Sequence, residues 1–139
     1  MFLLDTNVVS ELRKAKAGKA DRNVVRWAAQ TQGGSLFISA VTILELEIGT
    51  LLSERRDKVQ GAMLRVWIEN WVTAAFARRI LAVDDVVARR CAALHVPDPR
   101  PDRDAFIAAT ALVHGMTVVT RNTADFKPTG AAVLNPWLA

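Results

Sequence analysis

Short β-prone runs alternate with longer helical stretches along this chain. Strands are expected at residues 2–4, 36–38, 80–83 and 117–120, with a fifth at 132–134 on a sheet edge. Helices are expected at 8–14, 24–30, 41–52, 58–76, 84–95 and 103–114. Strands separated by helices predict an α/β domain whose central sheet is mainly parallel. Within 41–52, Val41, Leu44, Ile48 and Leu52 follow the spacing of one apolar stripe, which predicts the face turned to the core. Met63, Trp67 and Trp71 recur every fourth residue on the next helix, a pattern of core or dimer packing more than of base stacking. The 103–114 helix is apolar nearly all round and should be central and buried, with Gly115 ending it.

The chain has 139 residues, of which 51% are hydrophobic, enough for one domain spanning 1–139 with a real core. Its 18 basic and 14 acidic residues leave a net charge of +4, which permits an anionic partner without demanding one. Arg13, Lys14, Lys16, Lys19, Arg22 and Arg26 fall in one stretch that contains a single acid, Asp21. That stretch reads as a solvated face or as a track for an RNA backbone. The single cysteine, Cys91, allows no internal disulfide and no cysteine-based zinc centre. His95 and His114 lie at helix ends without an evident Ser or Cys partner, which argues against nucleophilic triad catalysis. No apolar run approaches the roughly 18 residues of a membrane span. The opening residues lack the pattern of a secretory signal, so a cytoplasmic protein without membrane association is expected.

With no glycine-rich phosphate loop and no nucleophile elbow, carboxylates remain as the carriers of chemistry. Asp5 directly follows the first strand, where open α/β sheets bind ligands, and serves equally well as a helix N-cap. Glu45 falls inside or beside the expected apolar stripe, where a carboxylate needs a partner or a metal. Asp104 opens the buried helix, with Asp102 two residues earlier, and either suits a helix cap. Asn122 and Asp125 follow the fourth strand and read, alone, as turn residues. Together these side chains form an oxygen-rich set without His or Cys, which suits a hard cation such as Mg²⁺ or Mn²⁺. Beside a basic surface, metal-assisted phosphodiester hydrolysis is the natural reading.

The same residues carry a family resemblance across nearly the whole chain. Residues 3–11, 38–49, 104–111 and 119–126 resemble, in order, the four motifs of PIN-domain proteins, most closely the VapC-type toxins of bacterial toxin–antitoxin pairs. The closing residues 133–137 are similar to the trafficking-regulator (FitB-like) branch. The resemblance implies a three-layer α/β/α fold and a Mg²⁺- or Mn²⁺-dependent endoribonuclease. It implies Asp5 and Asp104 as main metal ligands, Glu45 as the third acid, and Thr6 and Thr120 as hydroxyls holding the cluster, with Asn7 in support. Some members have Asp directly after the Thr-Arg pair; this chain has Asn122, and either Asn122 or Asp125 fills that role. Arg121, Arg13 and Lys14 are candidate RNA contacts. The implied partners are RNA, a second copy in a homodimer, and a VapB-like antitoxin in a hetero-oligomer that reaches DNA through the antitoxin. The Asn122 departure also admits a catalytically weak subunit that acts mainly in such a DNA-binding complex.

Overall fold

A computed structural model describes residues 1–139. Strands β1 (Phe2–Leu4), β2 (Leu36–Ser39), β3 (Ile80–Leu81), β4 (Thr117–Val119) and β5 (Val133–Leu134) form one sheet in the order β3-β2-β1-β4-β5. Every pairing is parallel, with Leu3 opposite Phe37 on one side and Val118 on the other. Parallel sheets require both faces covered, and β1 meets that demand with Leu3 and Leu4, each fully buried on opposite faces.

Leu4, Ile38 and Val119 pack under α1 (Thr6–Arg13), α2 (Arg22–Gln30), α3 (Ala40–Arg56) and the helical stretch that follows it. That stretch begins as α4 (Lys58–Val66), passes through a π-helical turn at Trp67–Val72 and ends in α5 (Thr73–Ala75). Leu3 and Val118 pack under α7 (Asp102–His114) and the short α8 (Thr123–Phe126), whose Phe126 is fully buried. Helix α6 (Asp85–Leu94) lies outside α7, joined through Val87, Cys91, Ala105 and Ala109. The result is the expected three-layer α/β/α sandwich. Helix α7 is central as expected, with Ala105 and Ile107 to Ala111 all buried, and Gly115 closes it at a φ of 65°.

Local chemistry sets the helix starts. Asp21, Ser39, Asp57 and Asp84 each accept a hydrogen bond from a main-chain N–H in the first turn of the helix that follows. Asp57 and Gly61 also mark the sharp α3–α4 corner. A β-carbon on Gly61 would stand 2.5 Å from the α-carbon of Glu54, so only glycine lets the two helices approach this closely.

The structure corrects the expected face of α3. Its buried residues are Val41, Thr42, Leu46, Thr50 and Ser53, whereas Leu44 and Leu52 are half exposed. The apolar stripe therefore turns outward at Leu44 and Leu52, while Val41 stays buried and Ile48 is partly exposed. Two of the inward hydroxyls are bonded: Thr50 donates to the Leu46 carbonyl at 2.9 Å, and Thr42 meets the Thr6 hydroxyl at 3.2 Å. The expected helix at 58–76 is likewise not uniform. Its π-helical turn sets the Trp67 and Trp71 rings in a stack with centroids 5.8 Å apart, against the core but partly open to solvent. Strand β3 spans two residues rather than four, because the chain leaves the sheet to reach the Asp84 cap.

Gly61→Ala is expected to destabilise the fold by about 1–3 kcal/mol, since the α3–α4 contact must open. Gly49→Ala, with open space around an exposed mid-helix position, should instead stabilise by about 0.5–1 kcal/mol. Urea unfolding of both variants checks the opposite signs.

Candidate acidic active site

Asp5 ends the central strand, and 6% of it remains exposed. Its side chain caps α1, as one reading of the sequence expected, but it does more. Oδ1 accepts the Thr6 N–H at 2.8 Å, while Oδ2 accepts the Thr120 hydroxyl at 2.8 Å and the Asn7 amide at 3.3 Å. Asn7 also accepts the Arg121 N–H, so α1 is tied to the end of β4. Thr120 is itself buried and accepts the Asn122 N–H at 3.0 Å. The hydroxyls expected to hold the cluster do touch it.

Glu45 reaches the same end of the sheet from α3. Its Oε1 accepts the Thr6 hydroxyl at 2.7 Å, and that hydroxyl lies 3.2 Å from the Thr42 hydroxyl. This network accounts for the rotated face of α3: Thr42 and Glu45 turn toward α1, and the leucines turn out. Glu45 is partly exposed and not buried in an apolar stripe, with Arg103 3.8 Å from its Oε2. Glu47 points elsewhere, to Arg65 at 2.6 Å.

Asp104 stands in the first turn of α7, half-buried. Neither it nor Asp102 caps the helix; Pro101 holds the cap position without a side-chain bond. Asp125 is exposed on α8 and shares with Asp104 a cavity of about 220 Å³. Asn122 is exposed beside it.

The electrostatics show how these acids feel one another. Burial, with smaller pushes from Asp104 and Glu45, raises the Asp5 carboxyl to about 6 against the pull of its Thr120 and Thr6 bonds. Burial also raises Asp104, with Asp125 and Glu45 adding to the effect. Desolvated carboxylates that repel one another are stabilised by a cation among them. As folded, no three of these side chains gather tightly enough to grip one ion. The donor chemistry nevertheless fits a hard divalent cation: all ligands are oxygen, and Asp5 and Asp104 both carry a charge penalty that such a cation would relieve.

The basic candidates separate. Arg13 lies 6.0 Å from the Trp67 ring and lines a cavity with Thr6, Ser10 and Glu45. Arg121 lies over Trp137 at 5.1 Å. Lys14 is spent on Glu11 at 2.8 Å. Sequence reasoning missed Arg103 and Arg100, whose approach to the acids depends on the turn before α7. It also missed a cysteine partner: His95 Nε2 lies 3.9 Å from the Cys91 sulfur, one helical turn away. Burial raises the Cys91 thiol, so the pair is no activated nucleophile.

The PIN domain family profile matches residues 2–130. A VapC ribonuclease of Sinorhizobium fredii is 36% identical, with 99% of this chain and 98% of the relative covered. The toxin FitB of Neisseria gonorrhoeae is also 36% identical, with 99% of each covered. A solved structure of FitAB bound to an IR36 DNA fragment superposes with a TM-score of 0.86 at 34% identity, covering 99% of this chain and 96% of that one. On the family match and these full-length relatives, the chain belongs to the PIN-domain family.

Proposed function

We propose that this protein is a Mg²⁺- or Mn²⁺-dependent endoribonuclease and the toxin of a toxin–antitoxin pair. The observation that carries the reading is the buried Asp5 carboxyl, raised by burial and pushed further by Asp104 and Glu45 at the end of the central strand. The VapC ribonuclease and FitB relatives support it. Asp5, Asp104 and Glu45 would hold the metal, which supplies a water of lowered pKa and neutralises charge on the phosphate. Thr120, Thr6 and Asn7 fix the carboxylates through the bonds described above. Asp125, coupled to Asp104, serves as the fourth acid, and its exposure suits it to contact through water. Arg13, on the rim beside Glu45, contacts the RNA backbone.

The FitAB complex with DNA supports a hetero-oligomer with a VapB-like antitoxin that reaches DNA through the antitoxin. A homodimer would cover apolar side chains that α3 and α4 leave exposed, among them Leu51, Leu52, Val59 and Val66. No helix is long and apolar enough to cross a membrane. We assign the protein to the cytoplasm on its family and its single unpaired cysteine.

Asp5→Asn is expected to reduce Mg²⁺-dependent cleavage of bulk cellular RNA to background and to relieve growth arrest in cells. Thr120→Val, which frees one Asp5 oxygen, should weaken metal affinity or activity by roughly 10–100-fold. Full cleavage by a folded Asp5→Asn protein would remove Asp5 from the metal site.

The raised Asp5 carboxyl also makes stability depend on pH. Between the ordinary value of 3.8 and about 6, folded Asp5 keeps a proton that the unfolded chain has lost. The folded state then binds more protons, so this group lowers stability as pH rises through that window, levelling off above about 6. In EDTA, Asp5→Asn should therefore gain about 1–3 kcal/mol over the parent near pH 7 and little near pH 4. Adding Mg²⁺ should raise the melting temperature of the parent but not of the variant. Urea and thermal melts at the two pH values check both statements; equal stability differences at both would contradict the assignment.

A further inference from the structure

We propose that Arg100 and the cavity it shares with Asp104, Asp125 and Thr129 form a second phosphate subsite, which seats an RNA backbone phosphate next to the one being cut. The inference rests on the ribonuclease reading for the identity of the polymer.

The cavity measures about 220 Å³ and opens beside the acidic cluster. That volume is small, and four of its eight lining residues are charged or polar, which suits a phosphate and its sugar better than a large apolar ligand. Arg100 is half-buried and held in place from three sides. Its Nε donates to the Leu94 carbonyl at 3.0 Å, its Nη2 reaches the Pro128 carbonyl at 3.5 Å, and its main-chain N–H donates to His95 Nδ1 at 3.1 Å. All of these partners are main-chain carbonyls or an imidazole nitrogen, and no carboxylate pairs with Arg100.

That arrangement sets Arg100 apart from its neighbours. Arg65, Lys14 and Arg103 each stand within 4 Å of a glutamate. Arg13 and Arg121 rest over indole rings. Arg100 has no carboxylate within 4 Å, its guanidinium orientation is already fixed, and Nη1 makes no hydrogen bond within the chain. A loop staple would need only the two carbonyl bonds. A guanidinium that lines a cavity in a fixed orientation, with Nη1 still free to donate, suits a phosphate oxygen. Asp104 and Asp125 line the same cavity, so the phosphate that enters belongs to the strand held at the acids and is not a free anion.

Arg100→Gln and Arg100→Lys test the proposal in the full chain, with Arg55→Gln as a control that loses equal charge at the far end of α3. Steady-state cleavage of single-stranded RNA in Mg²⁺ should show KM raised about tenfold by Arg100→Gln, the loss of one charge-assisted bond, with kcat within about twofold. The slope of log affinity against log salt should flatten by about 0.7, the value for one phosphate contact on a single strand. Arg100→Lys should keep the slope and recover part of KM; Arg55→Gln should change neither. Should Arg100→Gln melt early, the lysine variant carries the comparison. Unchanged KM and slope in both Arg100 variants, or a loss confined to kcat, overturns the subsite.

Binding of the same fluorescent RNA in EDTA separates the two readings. A parent that binds but never cleaves, with a flatter slope in Arg100→Gln, overturns the nuclease and keeps the subsite. A parent that neither binds nor cleaves overturns both.

Discussion

The fold is organised around a carboxyl placed where water can barely reach it. β1 sits in the middle of the sheet with β2 on one side and β4 on the other, so the chain reverses direction of travel across the sheet at its end. A crevice opens at such a point, beyond the carboxyl ends of the strands. Asp5 occupies it, and the three donors on its oxygens come from the first turn of α1 and the end of β4. Those bonds favour the charged form; burial and the neighbouring acids oppose it and win. The chain thus holds a local conflict that divalent charge would relieve. Strained electrostatics of this kind are retained at functional sites and offset by stability elsewhere.

The same constraint explains why α3 is turned as it is. Burial alone would place Val41, Leu44, Ile48 and Leu52 inward. The helix instead directs Thr42 and Glu45 toward Thr6 and leaves Leu44, Leu51 and Leu52 about half exposed. A hydrogen-bonded hydroxyl costs little to bury, so Thr42 and Thr50 can line the inner face. The exposed leucines cost more in isolation, since each forgoes part of the roughly 1.5–3 kcal/mol that full burial of such a side chain yields. The adjacent helix adds Val59, Met63 and Val66 to the same solvent-facing apolar population. A partner surface that covers them recovers that free energy, so assembly and active-site geometry are linked through the rotation of one helix.

Much of this was legible in the sequence because it is local. Alternating short and long apolar runs predicted the element order. Asp5, Asp104 and Asp125 stood out at a strand end, a helix start and a turn, and Glu45 as a carboxylate in or beside an apolar stripe. What could not be read depends on the third dimension. The rotation of α3 follows from a bond between Thr6 and Glu45, 39 residues apart. The π-helical turn at Trp67–Val72 has no local residue signature, since helix and π-turn share the same periodic pattern. Arg100 and Arg103 gain their meaning only from the turn that brings them beside the acids. Cys91 and His95 were readable at a four-residue spacing on one helix; their contact needed no tertiary information.

Asp125 is the fourth acid we propose, and the same physics supports it. Asn122 directly after Thr120-Arg121 departs from the acidic pattern that the resemblance implies. Its main-chain N–H is committed to Thr120, and its exposed amide adds no charge to the crevice. Asp125 lies three residues on, one turn of α8 later, and is the strongest of the neighbouring acids acting on Asp104. A neutral amide at 122 removes a charge next to Asp5, which already bears the largest burial penalty. A carboxylate at 125 returns that charge on the outer side of Asp104, where solvent screens it. On that proposal the set keeps four acids while spacing the most exposed one away from the most buried, which lowers the repulsion that the fold must carry and leaves the outer acid free to act through water.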